Sequence, residues 1–306
     1  MRFSVIMPVY NKADTVCAAV KSVYAQTCDD YEIVMVDDGS RDGLEQALES
    51  LHSPKLRLIR QENGGVSVAR NTGIANAQGD YVCFLDADDL WQPDHLQILR
   101  DLIEKYPESS AFVTAHAVLL PDGQALHSGD ALAGLDADFE TDDFIGLLNH
   151  TSYGVVHTNS VCAQRAMLEQ EGICFEPGIR IGEDTDVWYR LGLKHKVAVT
   201  RKETTAYRRE FSTATQSGFH VQNWIFSQRL EAILSDAGIS DSVKASVQAL
   251  IDRYNMTSCR EYMAAGQRKE AKRVLALVKT KAGKRYWLTK IFTFLPCRLC
   301  KRVLKK

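Results

Sequence analysis

In the first hundred residues, four short apolar runs alternate with segments of helical periodicity. The runs are Phe3–Met7, Glu32–Val36, Leu56–Arg60 and Tyr81–Leu85, each bounded by turn residues. Helical patterns follow them at about 13–26, 41–51, 66–77 and 93–105. In the first of these Val16, Ala19, Val20 and Val23 share one face. Strands separated by crossover helices cannot pair as hairpins. The spacing therefore predicts an α/β fold with a mostly parallel sheet flanked by helices. In such sheets ligands bind beyond the carboxyl ends of the strands. The segments leaving those ends are Pro8-Val9-Tyr10-Asn11, Asp37-Asp38-Gly39-Ser40 and Asp86-Ala87-Asp88-Asp89. Polar and acidic residues thus gather on one edge of the predicted sheet.

Beyond residue 110 the pattern is less regular. Phe112–Leu120 reads as a strand closed by the turn Pro121-Asp122-Gly123. Gly182-Glu183-Asp184 opens a helix to about Leu193, and Val197–Thr200 and Thr204–Arg208 read as strands. After Gly218 the chain becomes helical, through 221–237 and 241–263. The expected division is an α/β domain over 1–217, a helical C-terminal extension over 218–282 and a basic amphipathic segment over 283–306.

With 306 residues, 45% hydrophobic and 25% charged, the chain has the composition of a folded globular protein. No secretory signal is read at the N-terminus, and no apolar window reaches the roughly 18 residues of a membrane-spanning helix. The eight cysteines are scattered; Cys297 and Cys300 form the sole CxxC and lack a second pair for a zinc site. Reduced, mostly buried thiols in a cytoplasmic protein are expected.

The net charge of −2 hides an asymmetry. From Gln267 onward there are fourteen Lys and Arg against one acid, Glu270, which leaves the preceding residues at −15. Within this basic tail Trp287, Ile291, Leu295, Leu299 and Val303 recur every four residues, with Leu288 and Phe292 beside them. Pro296 would kink any single helix there. Two readings stand: an interfacial segment on an anionic membrane surface, or a terminal helix docked on the body with a solvated basic face. The first is expected, which places the protein peripherally at the inner face of the cytoplasmic membrane. No nucleic-acid-binding motif accompanies the charge, so no nucleic-acid partner is expected.

The chemistry resides in three acidic groups. Asp86, Asp88 and Asp89 follow an apolar strand, and carboxylates this close repel unless a hard divalent cation offsets the repulsion. The alternative is capping of the helix that begins near Pro93. Asp37 and Asp38 are suited to hydrogen bonds from a ribose or a base N–H, or to an Asx turn. Glu62-Asn63-Gly64-Gly65 is a flexible approach to a phosphate or ribose, and Arg70-Asn71 lie on the helix after it. Gly182-Glu183-Asp184-Thr185-Asp186 offers a general base, or simply the acids that a helix N-terminus favours.

Taken in order, these pieces resemble family 2 glycosyltransferases, which have the GT-A fold. The matching pieces are Ser4 to Asn11, Val36-Asp37-Asp38-Gly39-Ser40-Arg41-Asp42-Gly43, Asn63-Gly64-Gly65, Ala69-Arg70-Asn71-Thr72-Gly73, Gly79-Asp80-Tyr81, Leu85-Asp86-Ala87-Asp88-Asp89, Gly182-Glu183-Asp184 and Trp188-Tyr189-Arg190. The resemblance covers residues 1 to about 215. It implies inverting transfer from a nucleotide-diphosphate sugar, with UDP-sugars favoured, to a saccharide or lipid-linked acceptor in surface-polysaccharide assembly. Residues 1–110 would form the nucleotide-binding half and 111–217 the acceptor half. Pro8, Val9, Tyr10, Asn11, Asp37, Asp38, Gly65, Arg70, Asp86, Ala87 and Arg209 would meet the donor. Asp88, with Asp86, would hold Mg2+ or Mn2+, and Asp184 would deprotonate the acceptor, with Glu183 the lesser choice. Many relatives carry a His after the Tyr-Arg near the end of this region. Here the run is Tyr207-Arg208-Arg209-Glu210, which leaves the third protein ligand open between Arg209 and Glu210.

Other classes fit less well. A phosphoacceptor receiver domain carries its acidic pair after the first strand and is shorter. A dinucleotide dehydrogenase would show GxGxxG after the first strand. A catalytically inactive sugar-nucleotide-binding module is the remaining alternative, and the presence of both Asp88 and Asp184 speaks against it.

Overall fold

A computed structural model describes residues 1–150, 155–179, 182–209, 229–296 and 298–300. It divides into two compact units, residues 1–144 with 151–214, and residues 145–150 with 215–306.

The first unit is an α/β fold around a ten-stranded sheet. Its first strands are β1 (Phe3–Val9), β2 (Tyr31–Asp37), β3 (Leu56–Arg60) and β4 (Tyr81–Phe84), interleaved with α1 (Val16–Tyr24), α2 (Leu44–Leu48) and α3 (Val66–Asn76). They lie in the order β3-β2-β1-β4 and pair in parallel, as the alternation predicts. All seven residues of β1 and of β2 are buried, which is why these strands read as continuous apolar runs. Among their few polar residues, Glu32 accepts hydrogen bonds from Ser4 Oγ (2.7 Å) and Gln78 N (2.6 Å). Helix α1 buries Val16, Ala19, Val20 and Val23, the expected face. Gly79 lets the chain pass close to β1: a Cβ there would lie 2.7 Å from the Arg2 carbonyl oxygen and 2.8 Å from Ser4 N.

Past β4 the sheet becomes mixed. The further strands are β5 (Leu90–Trp91), β6 (Ala111–Leu119), β7 (Ala125–His127), β8 (Asp138–Thr141), β9 (Val161–Gln164) and β10 (Val197–Arg208). Strand β9 runs antiparallel between β4 and β6, and β10 lies parallel to β6. The two strands expected over 197–208 are thus one. Its middle, Arg201-Lys202-Glu203, is exposed and carries a register shift, so it reads as a gap in the apolar pattern. Helices α4 (His95–Lys105), α6 (Arg165–Gln170) and α7 (Glu183–Lys194) also belong to this unit, while α5 (Phe144–His150), which lies between them in the chain, belongs to the second from Ile145 onward.

The sheet order reverses direction at β1, with β2 on one side and β4 on the other. That switch point opens a crevice beyond the strand ends. Tyr10-Asn11-Lys12 border it from β1 and Asp86-Ala87-Asp88 from β4.

A buried histidine beneath the sheet gives the fold an acid-sensitive point. His95 is fully buried, its Nδ1 lies 2.7 Å from Thr204 Oγ1, and burial lowers its pKa to about 3. Between that value and the ordinary pKa near 6.5 the unfolded chain binds a proton that the folded chain does not. Stability is therefore expected to fall as the pH drops from about 6.5 towards 3, by up to roughly 5 kcal/mol from this group. A His95→Gln variant should lose that part of the acid dependence in urea titrations. An identical pH profile would contradict it.

In the second unit, helices Asp241–Ala264, Arg268–Ala276 and Gly283–Phe292 surround a core of Met256, Cys259, Met263, Ala271, Leu275, Val278, Tyr286, Phe292 and Cys300. Residues 229–233 are also helical, while 221–228 of the expected helix lie outside the described residues. Helix Gly283–Phe292 turns Tyr286, Thr289 and Phe292 inward. Trp287, Leu288 and Ile291 are each at least half exposed, and Phe294 is 68% exposed. The expected four-residue stripe is thus divided, because Leu295 packs against the core. The helix ends before Pro296. Val303 and the last six residues generally, like Cys297, lie outside the described residues. Among the described residues no helix is long and apolar enough to cross a membrane. The described cysteines are free, and all but Cys17 and Cys174 are buried.

Candidate active site

Three turns at the strand ends are stitched together by short polar contacts. After β1, Asn11 takes a left-handed conformation (φ 51°). Its N–H donates to Ser40 Oγ (3.0 Å), and its Oδ1 accepts from Arg41 N (2.9 Å). After β2, Asp37 Oδ1 accepts from Ser40 N (2.8 Å) in the Asx-type turn that was the alternative for this pair, and its Oδ2 lies 3.4 Å from Arg60 Nε. Asp38 Oδ1 accepts from Gln61 Nε2 (2.7 Å) and Gly64 N (2.9 Å), and Oδ2 accepts from Gly65 N (2.8 Å). A carboxylate has about four acceptor positions, so Asp38 shapes the Gly64-Gly65 approach and keeps one position open. Gly65 itself has φ 87°, which a glycine adopts without cost. Pro8 and Val9 are buried at the end of β1, whereas Tyr10 is half exposed.

Arg70 joins acids from two distant segments. It is buried on α3, with Nη1 2.9 Å from Glu183 Oε1 and Nη2 2.9 Å from Asp86 Oδ1. Its guanidinium lies 5.2 Å from the centre of the Phe175 ring. Burial alone would lower its pKa, but Asp86, Glu183 and Asp184 outweigh that, and it stays charged. Its neighbour Asn71 pins Phe175 by a two-point latch, donating to Phe175 O (2.7 Å) and accepting from Phe175 N (2.9 Å).

Asp86 and Asp88 face the crevice with side chains 27% and 15% exposed, while Ala87 is buried. Burial and the neighbouring Asp86 charge push the Asp88 carboxyl up, and Lys12, at 2.7 Å from Asp88 Oδ2, opposes that. Asp89 turns away from them. Its Oδ1 accepts from Arg208 N (2.8 Å), its Oδ2 accepts from Asn159 Nδ2, and burial holds its pKa well above the usual carboxylate range. The capping alternative for Asp88 and Asp89 is overturned, because Asp94 occupies the N-cap of α4. Residues 90–93 separate Asp89 from that cap, since Leu90–Trp91 pair with β10.

Asp184, at the start of α7, is half-buried beside this group. Its Oδ2 accepts from Thr158 Oγ1 (2.6 Å) and its Oδ1 from Thr185 N (2.6 Å). Burial raises its pKa, but the Arg70 charge and the Thr158 hydroxyl hold it below its ordinary value. Glu183 differs: burial and the Asp184 charge push it up to about 7 despite Arg70. Arg209 is exposed at the end of β10, and Glu210 lies outside the described residues. Among the described residues no group of three His, Cys, Asp or Glu side chains is placed to hold a metal.

Sequence reasoning passed over His157-Thr158-Asn159. Asn159 is fully buried; its Oδ1 accepts from Asp86 N (3.1 Å) and its carbonyl from Trp91 Nε1 (2.9 Å). His157 stacks on Tyr207 with ring centres 4.4 Å apart. The available signal was a polar triplet directly ahead of the short apolar run Val161-Cys162-Ala163.

Comparison with known proteins bears on the family and the fold. The Glycosyl transferase family 2 model matches residues 4–125. The putative teichuronic acid biosynthesis glycosyltransferase TuaG of Bacillus subtilis (strain 168) is 32% identical over 222 residues, covering 70% of this chain and 81% of TuaG. The chain spans about a third of the length of several other curated relatives it matches. Among solved structures, S. aureus TarS 1-349 in complex with UDP-GlcNAc gives a TM-score of 0.69 at 18% identity, covering 100% of this chain and 92% of that one. The mannosyltransferase PcManGT from Pyrobaculum calidifontis, in complex with GDP-Man and Mn2+, gives 0.58 at 19% identity, covering 99% and 86%. At such identities the likeness bears on the fold, which is GT-A. With TuaG matched over most of its length and the family motifs drawn into one crevice, the chain belongs to glycosyltransferase family 2.

Proposed function

We propose that this chain is an inverting glycosyltransferase that moves a sugar from a nucleotide-diphosphate donor, a UDP-sugar by preference, to a saccharide or lipid-linked acceptor in the assembly of a surface polysaccharide such as lipopolysaccharide or capsule. The observation that carries the reading is Arg70 joining Asp86 to Glu183, because it sets the proposed cation site beside Asp184, the proposed base. The likeness to TuaG, a putative teichuronic acid biosynthesis glycosyltransferase, and to TarS, solved with UDP-GlcNAc, supports the polysaccharide context and the uridine nucleotide.

The donor would lie across the switch point. Pro8, Val9, Tyr10 and Asn11 would meet the base and ribose from β1. Asp37 and the open acceptor position of Asp38 would face them from β2, with Gly65 and Ala87 allowing close approach. Arg209 would lend charge to the diphosphate. Asp86 and Asp88 suit a hard cation: two carboxylates with one residue between them, the pKa of Asp88 raised by burial and in part by Asp86. Mg2+, and by extension Mn2+, binds through one or two carboxylates plus substrate phosphates, so this pair fits without a third protein ligand. The cation would supply positive charge to the diphosphate as negative charge develops there. Asp184 would take the acceptor hydroxyl proton while the acceptor oxygen bonds the anomeric carbon and the nucleoside diphosphate leaves with the electron pair. Attack opposite the leaving group inverts that carbon. Thr158, Thr185 and Arg70 keep Asp184 ionised for this step. A panel of nucleotide sugars, assayed for hydrolysis with and without Mn2+, tests the reading. Release of nucleoside diphosphate that depends on Mn2+ is expected. Binding without turnover would mark an inactive nucleotide-sugar-binding module instead.

The second unit would meet a membrane surface. Trp287, Leu288, Ile291 and Phe294 are exposed beside Lys284, Arg285, Lys290 and Arg298, which suits an anionic leaflet at about 1 kcal/mol per well-placed basic residue. The full chain should float with vesicles containing phosphatidylglycerol at low salt, and an Ile291→Glu/Phe294→Glu variant should stay in the dense fraction. Equal flotation of both proteins would remove this face from the account.

A further inference from the structure

The two acids of the Asp86-Ala87-Asp88 triplet have counter-ions of different kinds. Asp86 is paired with Arg70, whose side chain is 4% exposed and whose two terminal nitrogens are both bound to carboxylates. That pairing is planar, bidentate in reach and locked in the interior. Asp88 is paired with Lys12, whose ammonium lies 2.7 Å from Oδ2 with both side chains at the crevice surface, 20% and 15% exposed. A lysine holds a compact charge on four rotatable carbons and can leave without moving its backbone. The backbone around Lys12 is fixed. Its carbonyl accepts from Thr15 N (3.1 Å) and Val16 N (2.9 Å) at the start of α1, and Asn11 before it is pinned to Ser40 and Arg41. The pair also spans the switch point, Lys12 from the β1 side and Asp88 from the β4 side.

We infer that Lys12 is the exchangeable counter-ion of the cation site, occupying Asp88 when no donor is bound and yielding it to the metal when the donor arrives. The inference rests on the metal role of Asp88 proposed above and adds its regulation. An ammonium 2.7 Å from Asp88 Oδ2 repels a divalent cation brought to the same carboxylate, so metal alone must compete with the ammonium. When the diphosphate enters with the metal, it gives the displaced ammonium a second anionic partner within the same crevice. Cation binding thereby becomes coupled to the nucleotide, and the enzyme holds metal weakly until a donor is present.

The test measures Mn2+ binding to the full chain by electron paramagnetic resonance of free Mn2+, with and without UDP. In Lys12→Met the affinity for Mn2+ alone should rise about tenfold, the range expected for losing a competing, partly buried ion pair. The gain in Mn2+ affinity on adding UDP should shrink by a similar factor. Lys12→Gln, which keeps a polar side chain, should behave the same way, and Lys12→Arg should retain the wild-type coupling. In an Asp88→Asn background the Lys12 substitution should have no effect. Unchanged or weaker Mn2+ binding by both Lys12→Met and Lys12→Gln overturns the inference. If Asp88→Asn alone leaves Mn2+ affinity unchanged, the metal role of Asp88 fails; if that variant binds weakly while the Lys12 variants bind like wild type, Lys12 alone is wrongly assigned.

Discussion

Replacing Asp184 by Asn should slow glycosyl transfer by about 10²–10⁴-fold while leaving donor affinity close to wild type. The amide keeps the shape of the carboxylate and its contacts with Thr158 and Thr185, but it cannot take a proton. The pH dependence separates the two candidate bases. Asp184 is held below its ordinary pKa, so a rate that depends on it stays flat as the pH falls through neutrality and drops only in the acid range. Glu183 sits at about 7, so a rate that depends on Glu183 would already fall below neutral pH. A kcat profile with its acid limb near 7, or an Asp184→Asn variant with undiminished kcat, would move the base to Glu183.

Arg70→Met should have the second large effect, this time on stability as well as activity. It removes the cation that pairs with both Asp86 and Glu183, and breaking a buried pair by deleting one partner typically costs about 3–5 kcal/mol. Because Asp86 keeps some exposure, the loss is expected towards the lower end of that range. Glu183 should be pushed further up without the arginine charge, and Asp184 should lose the influence that holds it down. Transfer should therefore be lost together with stability, and Arg70→Lys should restore charge but only part of both, since an ammonium cannot reach two carboxylates with a planar fork. Denaturant midpoints and kcat measured on the same preparations check this. An Arg70→Met protein as stable and active as wild type would refute the clamp.

Which features could be read from sequence follows from the physics of each element. Strands β1, β2 and β4 lie inside the sheet and are buried almost throughout, which writes them as apolar runs, whereas β3, at the sheet edge and half-exposed, shows only as the alternation of Leu56, Leu58 and Arg60 with Arg57 and Ile59 between turn residues. Strands β7 and β8 escaped because Ala125–His127 is exposed and Asp138–Thr141 is half-buried along its whole length. Strand β9 has four residues, too few to show a period. The acids of the crevice were legible because each follows a strand end or opens a helix. Their interior partners were not. Asn159 reaches Asp86 across 73 positions and Asp89 across 70, and Thr158 meets Asp184 across 26, and no local pattern encodes such contacts. Asp89 shows the converse. Its sequence neighbours suggested a helix cap or a metal ligand, yet its carboxylate holds the end of β10 and Asn159 in the interior.

The central claim is that Asp88, with Asp86, holds the donor diphosphate through a divalent cation. Calorimetric titration of UDP into wild type and Asp88→Asn, each with and without Mn2+, tests it most directly. The account predicts that Mn2+ strengthens UDP binding to the wild type by at least tenfold and does little for Asp88→Asn. Equal enhancement by Mn2+ in both proteins, or none in the wild type, would contradict it.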